Sequence, residues 1–597
     1  MYSPVPDSPV LGVERSVCGK RWRQRGAAPG GDNIALAISQ KHGLPDLVGR
    51  LLAARGLTAD EVPSYLEPTL REQLPDPARF RDMDKAVARL VAAIGAGERI
   101  AVWGDYDVDG ATSAALLIRY FRAIGHPIEY YIPDRMKEGY GPNAPALLKL
   151  RGDGIAVVVT VDCGITAHEP LAAARDAGLD VIVVDHHQAE PALPPAHAVV
   201  NPNRIDEEPG FGQLAAVGVT FLLLVALNRA LRAAGRFGER PEPDLMTLLD
   251  LVALGTVCDV VPLTGLNRAL VSQGLKIAAR RQNVGLVALS DIARMEAAPG
   301  TFHCGFLLGP RINAGGRVGE SDLGTRILST TDPGEAHRIA IRLDALNDER
   351  RQIEQNVLEA AIAQVGDEPT AVPLIFAASP GWHPGVIGIV ASRLVERYGR
   401  PAFVIALDNG IGKGSGRSMP GLDLGNAVIA ARQAGLLVNG GGHAMAAGLT
   451  VEAGKLEPLR EFLAARLLQM NDGKVEVART LGIDAPLAPG AIDIALAERV
   501  AALGPFGSGN PEPRFALPGV RILRADPMGT GHLRCFVAGS DGKQVNAVAF
   551  RVAETPLGDL LASRGGGRPV HLAGHLRAET WQGRTSARFF IEDAAPA

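Results

Sequence analysis

A chain of 597 residues, 47% hydrophobic and 21% charged, is long enough for several packed domains and has the composition of an ordinary globular protein. Its net charge of −4 excludes a globally basic nucleic-acid binder, so such a ligand would need a local basic groove. Five scattered cysteines without a CxxC pair exclude a disulfide framework and a structural zinc site, and suit a reducing compartment.

Residues 1–33 carry prolines and charges and no apolar signal segment. With the basic cluster Lys20, Arg21, Arg23 and Arg25 they read as an irregular, solvated tail. Residues 34–97 follow as short helices, a preface expected to pack on what comes next. Thr58 with Glu61 fits a capping box there. The longest apolar run, residues 214–227, stops at Asn228 and Arg229, short of a membrane span, and reads as a buried helix.

From Arg99 the rhythm is βα. Apolar strands at 100–103, 128–132, 155–161, 181–184 and 198–200 alternate with helical patterns. Such runs predict a parallel sheet covered on both faces. Polar residues sit just past the strand ends: Asp105, Asp107 and Asp109, then Asp162, then Asp185, His186 and His187. Open α/β sheets bind ligands along that edge. Three carboxylates within five residues repel one another, and cations between them relieve the repulsion. A solvated acidic turn is the alternative. A further acid, Asp259, sits at the edge of an apolar helix in GTVCDVVPL.

Carboxylates and a histidine on one rim suit two divalent ions arranged for in-line displacement at phosphorus. Asp162, on the middle strand, is placed to lie between them, with Asp107 on one ion and Asp109 and His186 on the other. Mixed Asp/His ligation favours Mn2+ or Mg2+ over zinc. His187 would donate to a phosphate oxygen or a leaving group.

Residues 346–365 read as a long amphipathic helix linking two lobes. A second α/β segment at about 371–473 holds strands at 373–377 and 402–407 and two glycine-rich turns, GKGSGRS at 412–418 and GGGH at 440–443. The first is not a P-loop, because Lys413 is followed by Gly414. The last stretch alternates with period two, and GSDG at 539–542 is a hairpin signal. From Arg514 onward, 11 Lys and Arg face 7 Asp and Glu, a local excess of +4. That suits a small β-barrel of the OB kind binding nucleic acid, or a β-domain with a mildly basic face. Trp581, Phe589 and Phe536 are its candidate stacking aromatics.

GDYDVDG, VDCG, DHH and GTVCDVVPL, in this order, resemble the DHH phosphoesterase superfamily. LGPRINAGGR, GKGSGRS, GGGHAMAAG and GPFGSGNPEP are similar to its RecJ exonuclease family, over roughly residues 45–597. The resemblance implies an α/β fold with two α/β lobes, a DHH catalytic lobe and a DHH-associated C-terminal lobe, joined by a long helix and followed by an OB-like β-barrel. The expected divisions are an N-terminal extension at 1–45, the catalytic domain with its helical preface at 46–345, a connecting helix at 346–366, the second lobe at 367–473 and the barrel at 474–597. It implies a metal-dependent 5′→3′ exonuclease degrading single-stranded DNA to 5′ mononucleotides in recombination and repair.

By match, Asp107, Asp109, Asp162, His186 and Asp259 are the expected metal ligands, with Asp105 and His187 supporting catalysis. Arg135, Arg311, Ser415 and Arg417 are expected on the DNA backbone or the 5′ phosphate, and His443 facing the metals from the second lobe. Arg311 and Arg317 as structural bridges, Asp259 as a helix-end cap and His443 as a loop histidine are the plainer alternatives. Trp103 reads as core. The implied cofactors are two divalent ions, Mn2+ or Mg2+. The implied partners are single-stranded DNA, a single-strand-binding protein and a RecQ-type helicase, with no membrane. The implied setting is the bacterial cytoplasm, at the nucleoid. A phosphatase or oligonucleotidase acting on tiny substrates, a catalytically dead DHH scaffold and a role in RNA decay are the competing readings.

Overall fold

The structure is a computed structural model that describes residues 8–26, 31–135, 137–238, 240–366, 372–475, 479–581 and 583–597. In the first lobe, five strands form an all-parallel sheet in the spatial order Ile128–Tyr131, Ile100–Gly104, Val157–Val161, Asp180–Val184, Ala198–Val200. The chain starts in the interior of this sheet and builds outward in both directions. The connections therefore diverge between Ile100–Gly104 and Val157–Val161, and a doubly wound sheet opens its ligand crevice at that point. Asp105 follows the first of these strands directly and Asp162 the second, so topology alone brings the two acids together. Both strands are buried along their whole length, which explains their unbroken apolar reading.

Trp103 is fully buried and stacks on Tyr131, as expected for core. The apolar run after residue 214 forms the helix Ala216–Ala233, which is long and apolar enough to cross a membrane by length and composition. Its apolar residues belong instead to the core of the first lobe. The linking helix is Pro333–Val365, longer than the 346–365 pattern because it begins inside the first lobe. Its N-terminal half carries core residues of that lobe, Ala340 and Leu343 among them, and Val357 and Ala361 pack in the second.

The second lobe is a mixed five-stranded sheet in the order Asn439–His443, Ala446–Glu452, Ile411–Arg417, Ala402–Asp408, Ile375–Pro380. Both glycine-rich segments read as turns are strands here. Gly416 shows why: a Cβ there would lie 2.4 Å from the Phe403 ring. The glycines make room for large neighbours on the same sheet, at the cost of the β-propensity that would have marked them as strands.

The C-terminal region closes into a barrel. Its strands Phe515–Met528, His532–Ala538, Gln544–Ala549, Arg584–Pro596 and Val570–Trp581 pair in that order, and the last returns to the first. The N-terminal segment is not a solvated tail where it is described. Strand Arg21–Gln24 pairs in parallel with Thr480–Ile483, Trp22 is fully buried, and its Nε1 donates to Asp593 Oδ2 at 3.0 Å. Arg25 pairs with Asp484 at 2.9 Å. The preface also divides differently from expectation. Ala35, Ile38, Leu51, Leu52 and Val62 belong to the barrel's core, while the helix Met83–Ala96 packs on the first lobe. A barrel of this size buries little on its own, and these helices complete its apolar interior.

Trp22→Ala is therefore expected to lower the stability of the barrel by ~3–5 kcal/mol, the usual range for emptying a large aromatic site. Denaturant unfolding followed at the barrel checks this; an unchanged midpoint would return the segment to a solvated tail.

Candidate metal centre

The acidic turn is built by the start of a helix. Asp107 is the N-cap of Val108–Ala123 and accepts from the Asp109 and Gly110 amides at 2.9 and 3.1 Å. Glycine is required at 110, because a Cβ there would lie 2.6 Å from the Asp105 backbone. Asp109, fully enclosed, points at the N-terminus of Ala216–Ala233 and accepts from the Ala216 and Val217 amides at 2.7 and 2.9 Å. The positive end of that helix stabilises a buried carboxylate.

Asp162 ends the middle strand with φ of +61°, a left-handed conformation uncommon outside glycine but tolerated by Asp and Asn. Such backbone strain collects at functional sites, where the surrounding structure enforces it. Here the Asp162 amide is held by the Val184 carbonyl at 3.0 Å, and Tyr140 donates its hydroxyl to the Asp162 carbonyl at 3.0 Å.

Asp185 organises the next strand end. One of its oxygens takes the His186 amide, the His187 amide and His187 Nδ1 at 2.7, 3.1 and 2.7 Å, and the other takes the Ile165 amide at 3.0 Å. Burial works against its charge, but the His187 hydrogen bonds outweigh burial and hold its pKa below the ordinary value. Burial likewise lowers His187, and the Asp185 contact more than reverses this, raising the imidazole to about 9. His186 is pushed down to about 4 by burial and by the charge of His187, so it stands neutral, as a metal-ligating imidazole must.

Around this frame the ligand atoms form three overlapping groups: Asp109, His186 and Asp259; Asp162, His186 and His187; Asp105, Asp107 and Asp162. His186 Nε2 lies 3.3 Å from Asp162, 3.7 Å from Asp259 and 3.9 Å from Asp109. Asp162 and His186 each belong to two of the groups, and Asp162 is the carboxylate that joins the Asp105–Asp107 side to the histidines. His186 Nε2, Asp162 Oδ1, Asp259 Oδ2 and Asp105 Oδ1 are all buried without a hydrogen-bond partner. Buried polar atoms are normally satisfied, so four orphans aimed at one another fit divalent cations. Burial and mutual repulsion raise Asp105, Asp109 and Asp162 well above the ordinary carboxylate value. Burial and the charge of Asp107 raise Asp259 to about 7. Cations would reverse both effects.

The cavity over these groups holds about 290 Å3 and is lined by Tyr106, Arg135, Tyr140, Asn313 and Arg317 besides the acids and His187. Arg135 lies over the Tyr106 ring at 4.8 Å. Arg317 Nη1 donates to the Gly385 carbonyl at 2.9 Å, tying the first lobe to the second. Burial first, then the neighbouring charge of Arg135, lowers both Arg317, to about 10, and Arg417. Among the described residues no carboxylate forms a salt bridge with Arg135, Arg317 or Arg417. Arg417 donates to Ser415 Oγ at 3.1 Å, and both groups face Gly388 at the start of helix Ile387–Tyr398.

Two expected contacts are placed otherwise. Arg311 is buried, with Nε on Asp344 at 2.8 Å and Nη1 on the Leu307 carbonyl at 2.8 Å, which is the structural-bridge alternative. Arg317, six residues further along the same helix and so on a different face, takes the cavity position instead. His443 is exposed at the end of its strand, and no contact among the described residues joins it to the acids. Of the barrel aromatics, Phe589 is fully buried, Phe536 lies under Arg534 at 5.7 Å, and the Trp581 side chain lies outside the described residues. The exposed ring is Phe550, stacked on Phe590 at 5.9 Å and edge-on to His532 at 4.9 Å. Tyr140, Tyr106 and Asn313 are not signalled by the sequence as site residues. Asp185 is placed on the ligand edge by its strand end but given no role, and Arg317 is named only with a structural-bridge alternative.

A parallel sheet whose strand ends gather these acids and the Asp-His-His triplet defines a DHH-type phosphoesterase lobe. Family descriptions match in the same order: "DHH family, N-terminal domain" at residues 99–256, "DHHA1 domain" at 371–469 and "RecJ OB domain" at 483–593. The single-stranded-DNA-specific exonuclease RecJ of Salmonella typhimurium is 38% identical over 93% of this chain and 96% of its own length. That of Escherichia coli is 37% identical with the same coverage. The crystal structure of Thermus thermophilus RecJ with Mn2+ superimposes with a TM-score of 0.79 at 30% identity, covering 96% of this chain and 79% of that one. The chain belongs to the RecJ family. RecJ structures have been solved with Mn2+ and with Mg2+, in accord with the ion types expected from the donor set.

Asp162→Asn keeps a side chain that tolerates positive φ and removes one charge from the cluster. Without divalent ions it is expected to raise Tm by ~2 °C or more, as relief of buried repulsion would in a chain of this size. It is also expected to abolish most of the stabilisation the native chain gains from Mn2+. Thermal melts with and without Mn2+ read both.

Proposed function

We propose that this protein is a metal-dependent exonuclease that removes 5′ mononucleotides from single-stranded DNA in the 5′→3′ direction. The observation that carries this reading is the set of four buried, unpartnered donor atoms on Asp105, Asp162, His186 and Asp259, gathered beneath a cavity that Arg135 and Arg317 line. The proposed ligands are Asp107, Asp109, Asp162, His186 and Asp259, and the structure's grouping adds Asp105 to the candidates. Bound there, two divalent ions would activate water and offset charge on the phosphoryl oxygens.

The chain's own groups do the rest. Asp185 fixes Nδ1 of His187, so Nε2 of the imidazolium holds the proton for a phosphoryl or leaving oxygen. Arg135, Arg317 and Arg417 supply positive charge without a carboxylate to neutralise it. Ser415, Arg417 and the first turn of Ile387–Tyr398 make a pocket suited to a terminal phosphate, because a helix N-terminus and a guanidinium both favour dianions. A terminal phosphate held there would register the first phosphodiester over the acids and set the 5′ polarity. Arg311 is assigned to the fold, through Asp344.

The barrel is proposed to hold the strand further along, with the exposed Phe550 ring, backed by the buried Phe590, as the stacking surface. Recombination and repair are the proposed setting, in the cytoplasm at the nucleoid. A single-strand-binding protein and a RecQ-type helicase are the proposed partners.

Digestion of end-labelled single- and double-stranded DNA, with and without Mn2+, tests the reading directly. Release of 5′ mononucleotides from single strands alone, only with metal, is expected. Asp162→Asn, which tolerates the positive φ, is expected to reduce cleavage by at least ~10²–10³-fold with the fold intact; full activity would sink the ligand assignment. Phe550→Ala is expected to weaken binding of long strands by ~1–3 kcal/mol while sparing hydrolysis of very short oligonucleotides. Equal loss on both substrates would remove the barrel from the proposal.

A further inference from the structure

The chain just after Asp259 is held against its own preference. Asp259 is the C-cap of helix Leu249–Cys258, and Val260 follows it with φ of +63°. A β-branched residue is a steric outlier in that left-handed region. Val260 is 68% exposed, so no burial of its side chain offsets the cost. The path is therefore imposed by neighbouring contacts, and such strain persists only where they over-determine it.

Asn267 makes one of those contacts. It lies in the first turn of helix Gly265–Ala278 and has no exposed surface. Its Nδ2 donates to the Pro262 carbonyl at 3.0 Å and to the Gln213 carbonyl at 2.6 Å. Two carbonyls facing one group fix its orientation, because only the NH2 end of a carboxamide satisfies both. Pro262 lies three residues beyond Asp259. Gln213 precedes Leu214, whose backbone is hydrogen-bonded to His186, and the Ala216 and Val217 amides that seat Asp109 follow directly. One amide group thus joins the two chain segments that carry or seat Asp109, His186 and Asp259, which together form one of the ligand groups. Asn203 holds the second segment from its other side, with Nδ2 on the His186 carbonyl at 2.5 Å and on the Gly212 carbonyl at 2.9 Å. The turn that presents Asn267 is itself anchored. Arg268, also buried, donates to the Tyr65 and Gly504 carbonyls at 3.0 and 2.5 Å.

We propose that Asn267 is a positioning residue for the metal centre, its carboxamide fixing the spacing between Asp259 and the seats of Asp109 and His186. The proposal rests on the reading of these three residues as metal ligands. Asp109 and Asp259 repel one another across the centre. Without the Asn267 bridge the ligands would all be present but free to spread apart, and ions would bind more weakly. Groups that orient ligands in this way commonly set metal affinity by about 10–100-fold.

The test titrates the full chain with Mn2+, reading the free ion by electron paramagnetic resonance. Asn267→Leu keeps a similar volume and loses both hydrogen bonds, and Asn267→Asp keeps the shape but turns acceptors toward both carbonyls. Each is expected to weaken Mn2+ binding about 10–100-fold and to shrink the Mn2+-induced rise in Tm. Asn267→Ser, which donates to one carbonyl at most, is expected to fall between them and the native chain, and it carries the test where a larger change fails to fold. At saturating Mn2+ the KM for oligo-dT should stay native, because no side chain lining the cavity is altered. In an Asp259→Asn background, Asn267→Leu should weaken Mn2+ binding less than it does in the native chain, since the two act together. If the variants melt earlier without metal yet bind Mn2+ with native affinity, Asn267 supports the fold alone and the inference falls. If Asp259→Asn itself leaves Mn2+ binding unchanged, the ligand reading fails first.

Discussion

The structure turns on one electrostatic conflict: five carboxylates and an imidazole enclosed at the carboxyl edge of a parallel sheet. Burial opposes the ionisation of Asp105, Asp109, Asp162 and Asp259, and the neighbouring carboxylates add to the penalty. Among the described residues no lysine or arginine forms a salt bridge with them. The fold supplies helix amides to Asp107 and Asp109 and leaves other oxygens bare. This is the electrostatics of a site that is complete only with cations in it. The sheet topology is what makes the crowding unavoidable, since the two acid-bearing strands are neighbours at the divergence point.

The basic side of the site follows from the same constraint. Arg135, Arg317 and Arg417 come from the first lobe's sheet edge, the helix Gly309–Val318 and the second lobe's sheet. None is paired with a carboxylate among the described residues, although acids lie across the cavity. Cations on the acids and a phosphate on the arginines would divide the cavity between opposite charges. That division needs both lobes in register, and the Arg317 contact to Gly385 and the rigid helix Pro333–Val365 hold them there.

Much of this was legible in the sequence, for a physical reason. Buried parallel strands are continuous apolar runs, and the polar residue that ends each run lies on the ligand edge. Asp105, Asp162 and His186 could therefore be placed without coordinates. What failed was whatever depended on contacts between distant segments. Arg21–Gln24 is too short and too polar to announce a strand, and it is one only because Thr480–Ile483 lies beside it. The strand Ile411–Arg417 reads as a turn because its glycines answer to Phe403 and Leu449 rather than to its own propensity. Arg311 and Arg317 are equivalent in the motif, and only the helix's phase decides which one enters the cavity.

The barrel shows the same dependence from the other side. Its core takes Ala35, Leu51 and Leu52 from the N-terminal helices, and its loop 504–511 grips the first lobe. The Leu263 amide donates to the Ser508 carbonyl at 2.7 Å, and Asn510 gathers Arg55 and Tyr65 while donating to the Leu503 and Pro505 carbonyls. Leu263 is four residues beyond Asp259. A metal ligand and the anchor of the barrel thus lie on one short segment, Asp259 to Leu263. The barrel is therefore held in fixed relation to the acids rather than hung on a linker. For an enzyme that must feed a strand into a confined cavity, a rigid path from the gripping surface to the acids keeps successive phosphates in register.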